Sequence, residues 1–130
     1  MSEEKKRKNV LVVDDDPHLL YTLERIFEDE DFELITAENG EECLKEIDDG
    51  FEGIILMDIM MPEMDGWETI RKIVQNYDMD NIVIVMLTAK DSPEEKRADL
   101  QKYVVDYINK PFTTEGLKKR IEEYYNFLEV

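Results

Sequence analysis

Five short runs of mostly apolar and β-branched residues alternate with segments of helical spacing along a chain of 130 residues. The runs are Val10-Leu11-Val12-Val13, Leu34-Ile35-Thr36-Ala37, Gly53 to Met57, Ile82 to Leu87 and Val104 to Ile108, each the length of one strand. Between them Leu19, Leu20, Leu23, Ile26 and Phe27 recur at helical intervals, as do Cys43, Leu44 and Ile47, then Ile70, Ile73 and Val74, and finally Leu117, Ile121, Tyr124 and Leu128. A further helix is expected over residues 93–102, where Ser92 supplies an N-cap and Pro93 the first helical position. Several strand runs have no polar face, so both faces of their sheet must be covered. Parallel strands joined by crossover helices meet that need, and the expectation is an α/β sandwich on five parallel strands.

That pattern fills a length suited to one domain, and no linker or repeat interrupts it. The last helical segment ends with the chain at Val130, which leads to the expectation of a single domain with no attached output domain. The longest apolar runs fall far short of the ~20 residues a spanning helix needs, so no membrane insertion is expected. Cys43 is the one cysteine, which excludes an intrachain disulfide framework and fits a reducing cytoplasm. With 33 acidic against 16 basic residues the net charge is −17, a field that repels phosphate backbones and argues against direct nucleic-acid binding. The basic run Lys5-Lys6-Arg7-Lys8 is read as part of a solvated, flexible lead over residues 1–8, and His18 as a surface side chain.

Ligands of a doubly wound sheet sit beyond the carboxyl ends of its strands. Asp14 and Asp15 close the first run, Asp58 the third and Thr88 the fourth, and Lys110 follows the fifth. A lone aspartate at a strand end is ordinarily a turn or capping residue. Convergence of three carboxylates, a hydroxyl and an amine on one rim weakens that explanation. Crowded acids raise one another's pKa unless a cation sits among them, and a hard oxygen-seeking ion such as Mg²⁺ suits the set. Beside such an ion a carboxylate can act as nucleophile toward a phosphoryl group, with Thr88 and Lys110 holding the phosphoryl oxygens.

In its motifs VLVVDDDP, LMDIMMPEMDG, VMLTAK and YINKPF, taken in that order, the chain resembles the receiver domains of two-component response regulators along essentially its whole length. The resemblance implies a flavodoxin-like doubly wound (βα)5 sandwich with strand order 2-1-3-4-5, occupying residues 9–130. It makes Asp58 the phosphoacceptor and Asp14 with Asp15 the acidic pair that organises Mg²⁺. Asp15, Asp58 and the backbone carbonyl of Met60 would then be direct ligands, and Asp14 would act through bound water. Thr88 corresponds to the switch hydroxyl, Lys110 to the phosphate-binding lysine and Tyr107 to the aromatic switch residue. Ala89 keeps the approach to Asp58 open and offers a backbone N–H, Asp16 is not a ligand, and Lys110-Pro111 is expected to be cis. Asp65-Gly66 reads as a helix N-cap and turn.

This chain departs from the family pattern before the fifth strand, where Tyr103-Val104 replaces a common Gly-Ala pair. Met60 and Lys90 stand at variable positions that look over the phosphoryl group. A thioether is too weak an acceptor to align an attacking water, so slow loss of the phosphoryl group is expected. The implied function is phosphoryl acceptance from a histidine kinase or histidine phosphotransfer protein, with a switched surface on the fourth helix, fifth strand and fifth helix for a downstream protein. Such a domain is not a conventional enzyme. One alternative is a Mg²⁺-dependent phosphatase with an aspartyl nucleophile, like the haloacid-dehalogenase-like enzymes; their nucleophile lies in a DxD motif on the first strand, where this chain has Asp14-Asp15-Asp16. The other is a pseudo-receiver that only binds protein, and the intact Asp14, Asp15, Asp58, Thr88 and Lys110 set counts against it.

Overall fold

The structure, a computed structural model, describes residues 8–89 and 99–128. In chain order its elements are β1 (Lys8–Val13), α1 (Pro17–Ile26), β2 (Phe32–Ala37), α2 (Gly40–Asp48), β3 (Gly53–Asp58), α3 (Gly66–Asn76), β4 (Ile82–Ala89), a 3-10 turn (Gln101–Tyr103), β5 (Val104–Lys110) and α4 (Thr114–Leu128). The strands form one sheet in the order β2-β1-β3-β4-β5 with every pair parallel. This is the flavodoxin-like arrangement, with the reversal of strand order between β1 and β3.

Alternation along the central strands sends successive side chains to opposite layers. Leu11, Val13, Ile55, Met57, Ile84 and Met86 pack with Cys43, Ile47, Trp67, Ile70 and Ile73 of α2 and α3. Val10, Val12, Ile54, Leu56, Val85 and Leu87 pack with Leu20 and Leu23 of α1 and Leu117, Ile121 and Tyr124 of α4. The central strands are therefore buried on both faces, as their unbroken apolar runs require.

Local signals set where helices begin. Asp16 caps α1 by accepting from the His18 N–H at 3.0 Å, with Pro17 in the first turn, and His18 itself is exposed. Asn39 caps α2. Asp65 and Glu68 form a reciprocal capping box on α3, which fulfils the N-cap reading of Asp65.

The helix expected over 93–102 falls largely outside the described residues. Its described end, residues 99–102, is a turn running into the 3-10 turn, with Tyr103 N–H donating to the Leu100 carbonyl at 3.0 Å. The tighter i→i+3 winding lets Leu100 join the core layer of α2 and α3 while the chain enters β5 at Val104. Of the expected lead, residues 1–7 also lie outside the described residues, and Lys8 is the first residue of β1.

Candidate functional site

Because the strands are parallel, their carboxyl ends share one edge of the sheet. Asp14 immediately follows β1, Asp58 is the last residue of β3, Thr88 is the last but one of β4 and Lys110 is the last of β5. Pairing of Val13 with Met57, Asp58 with Leu87 and Ala89 with Lys110 levels these ends, so residues up to 96 positions apart in sequence meet. Asp14 and Asp58 are buried and Asp15 is exposed, and carboxylate oxygens of all three lie within 4.8 Å of one another.

Lys110 sits against this group. Its Nζ donates to Asp14 Oδ2 at 2.7 Å and lies 3.5 Å from Asp58 Oδ1. The other oxygen of Asp14 accepts from the Asp16 N–H at 2.9 Å, so both Asp14 oxygens are engaged. Burial disfavours the Lys110 ammonium, but the hydrogen bond to Asp14 and the charges of Asp58 and Asp14 outweigh it and hold the pKa above the usual lysine value. Asp58 moves the other way for a carboxylate: burial first, then the charge of Asp14, push its pKa up to about 6. Lys110 and the Met60 backbone N–H, which hydrogen-bonds the carboxylate, oppose that rise, and Asp15 adds to it. Three carboxylates against one ammonium leave an excess of negative charge on hard oxygen atoms, the donor chemistry of a Mg²⁺ site.

The raised pKa of Asp58 has a consequence for stability. A carboxyl that holds its proton more tightly folded than unfolded stabilises fully below about pH 4, and that contribution is lost as pH rises through about 6. Asp58→Asn cannot ionise and escapes the loss. The metal-free variant is expected to be more stable than wild type at neutral pH, by up to roughly 3 kcal/mol, and to gain much less near pH 4. Urea midpoints in chelator at both pH values check this; an equal gain at both would contradict it.

Gly66 fixes the loop that follows Asp58. Its N–H donates to the Ile59 carbonyl at 2.8 Å, and a Cβ there would lie 2.6 Å from the Asp58 carbonyl oxygen and 3.0 Å from Ile59 Cα. Both neighbours are backbone, so neither can swing away. Gly66→Ala is expected to cost about 1–3 kcal/mol by forcing the Asp58 loop outward. An unchanged urea midpoint would show that the loop adapts freely.

Residues 10–122 match the family model of the response regulator receiver domain. This chain belongs to that family. It is 45% identical to a CheY-like receiver domain protein of Methanospirillum hungatei JF-1, whose crystal structure superposes with a TM-score of 0.86 over 93% of this chain and 96% of that one. The N-terminal domain of a response regulator receiver protein from Methanoculleus marisnigri JR1 is 38% identical, with a TM-score of 0.69 over 88% of this chain and 94% of that one. The alkaline phosphatase synthesis transcriptional regulatory protein PhoP of Bacillus subtilis (strain 168) is 35% identical over 115 residues, 88% of this chain. This chain spans 47% of the length of PhoP.

The remaining residues singled out in the receiver's sequence divide into those the fold brings near the carboxylates and those it does not. Thr88 is buried and donates its hydroxyl to the Ala89 carbonyl at 3.1 Å. Met60 is two residues beyond Asp58 with a side chain 68% exposed. The Lys110-Pro111 bond is cis. Tyr107 pairs with Met86 and lies two register positions from Thr88, on the same sheet face, half-buried against the α2 and α3 layer. Lys90 lies outside the described residues.

One cluster beside Tyr107 escaped the sequence reading, which took Asp106 only as part of a strand run. The Asp106 carboxylate accepts from the Tyr107 N–H at 2.8 Å, Arg120 Nη1 at 2.8 Å and the buried Tyr124 hydroxyl at 2.6 Å, tying β5 to α4. A charged residue inside an apolar strand run, with Arg120 and Tyr124 one helical turn apart, was the available signal.

Proposed function

We propose that this receiver accepts a phosphoryl group on Asp58 from a histidine kinase or histidine phosphotransfer protein, and so changes the surface it offers a downstream protein. One observation carries the reading: Asp14, Asp15 and Asp58 cluster at the carboxyl edge with Lys110 bonded into them. An Asp58 oxygen attacks phosphorus, the bond from phosphorus to the donor's leaving atom breaks, and the donor departs with that electron pair. Lys110 Nζ, already between Asp14 and Asp58, neutralises oxygens of the arriving group, and the Thr88 hydroxyl and Ala89 N–H donate to them. Tyr107, on the same sheet face as Thr88, would follow a movement of that hydroxyl, giving the switched surface its origin.

Asp15, Asp58 and the Met60 carbonyl would hold Mg²⁺ directly, and Asp14, whose oxygens are both engaged, would do so through bound water. When bound, Mg²⁺ supplies the positive charge that lets an anionic phosphoryl group approach carboxylates. The proposed setting is the cytoplasm, in keeping with Cys43 as a buried free thiol, and the proposed partners are proteins, in keeping with the charge of −17. Residues 1–7 are proposed as a charged lead to the domain, whose sheet already includes Lys8 as the first residue of β1. Among the described residues no helix is long and apolar enough to cross a membrane.

Incubation with a small acyl phosphate, followed by intact-mass measurement with and without Mg²⁺, tests the proposal. One phosphoryl adduct, dependent on the metal, is expected. Steady turnover of free phosphate esters would favour the phosphatase reading, and no adduct under any divalent ion would favour the pseudo-receiver.

A further inference from the structure

The methionines divide sharply by exposure. Met57 and Met86 are fully buried, Met61 is 7% exposed, Met64 and Met79 are half-buried, and Met60 is 68% exposed. Cys43, the one cysteine, is buried, and burial first, with the charge of Glu46 second, pushes its thiol up to about 12. It therefore stays protonated and shielded from oxidants. Trp67 is buried as well. Among the described residues the most exposed sulfur side chain is thus Met60, and its own backbone N–H bonds the Asp58 carboxylate.

We propose that Met60 is a redox modification site, where peroxide converts the thioether to a sulfoxide that shortens the life of a phosphoryl group on Asp58. The inference rests on Asp58 being the phosphoacceptor. In the oxidation a lone pair on Sδ attacks one peroxide oxygen, the S–O bond forms as the O–O bond breaks, and the peroxide is reduced to water while sulfur loses two electrons. The product is polar, and methionine sulfoxide reductases can reverse it. A thioether accepts hydrogen bonds weakly, whereas the sulfoxide oxygen is a strong acceptor on the same flexible, exposed arm. Hydrolysis of an acyl phosphate needs a water held in line with the bond that breaks, and an acceptor beside the phosphoryl group can hold it. An oxidant would thereby reset the receiver without touching its carboxylates.

The test treats purified protein with limiting hydrogen peroxide, removes the peroxide with catalase, maps oxidised peptides, and then phosphorylates with a small acyl phosphate and Mg²⁺. Decay of the adduct is followed by intact mass in treated and untreated samples. Met60 is expected to gain one oxygen ahead of the other described methionines, and the oxidised protein to lose phosphoryl at least about threefold faster. Met60→Gln should decay fast with or without peroxide, and the decay of Met60→Leu should not respond to peroxide. Oxidation that begins at another described methionine, or equal or slower decay once Met60 is oxidised, would overturn the inference. Untreated protein that takes up no phosphoryl group would instead remove the Asp58 reading, and this inference with it, before peroxide enters the experiment.

Discussion

Asp58→Asn is expected to take up no detectable phosphoryl group from an acyl phosphate under conditions where wild type approaches one per chain. The carboxamide keeps the size and shape of the side chain, so the core beneath it, Met57 and Leu87 included, stays packed. It lacks the negative charge and the nucleophilic oxygen, and loss of either group of that kind costs orders of magnitude in rate. Neighbouring acids are poor substitutes. Asp14 has both oxygens engaged by Lys110 and the Asp16 N–H, and Asp15 is exposed to water. An adduct of equal yield in the variant would move the acceptor elsewhere.

Lys110→Ala should separate metal binding from switching. Removing the ammonium leaves three clustered carboxylates without their Lys110 partner, so Mg²⁺ should bind more tightly than to wild type. The metal-free variant should also lose stability, because Asp14 is 1% exposed and its partner is gone. Breaking a fully buried pair costs about 3–5 kcal/mol, and the loss here should be smaller because the lysine side chain keeps some contact with water. The conformational response to beryllofluoride, which stands in for the acyl phosphate, should disappear, since the charge that neutralises its fluorine atoms is missing. Intrinsic fluorescence and amide shifts report both events. Weakened Mg²⁺ binding, or a response to beryllofluoride equal to that of wild type, would contradict the role assigned to this lysine.

The sheet was legible because its strands announce themselves by runs such as Ile82 to Leu87, which no amphipathic surface element would carry. The site was legible for a related reason: Asp58 and Thr88 are polar residues standing where such runs stop, and Lys110 lies just beyond one. The strands extend further than the apolar runs, with Asp58 and Lys110 as their final residues, since backbone pairing continues after the apolar run ends. Phe32 and Glu33 also belong to β2, held by pairing with Lys8 and Asn9 that no local pattern marks.

Strand β5 was the least legible. Ile84 pairs with Val104 but Val85 pairs with Asp106, so Val105 bulges out and is 45% exposed. The bulge reverses which face each later residue meets: Val104 packs toward α2 and α3, and Asp106 turns to α4. Simple alternation puts both on one face. Nor could sequence show the 2.7 Å contact between Lys110 and Asp14, which depends on β1 and β5 being levelled by two intervening strands. The sheet order itself came with the resemblance and not from periodicity.

Chemical trapping of the phosphorylated residue tests the central claim most directly. Borohydride reduces an aspartyl phosphate to homoserine, and peptide mass spectrometry then reads which aspartate was converted after incubation with Mg²⁺ and an acyl phosphate. Conversion of Asp58 alone, absent when the metal is chelated, is the expected result. Conversion at Asp14, Asp15 or a surface acid with Asp58 unchanged would contradict it.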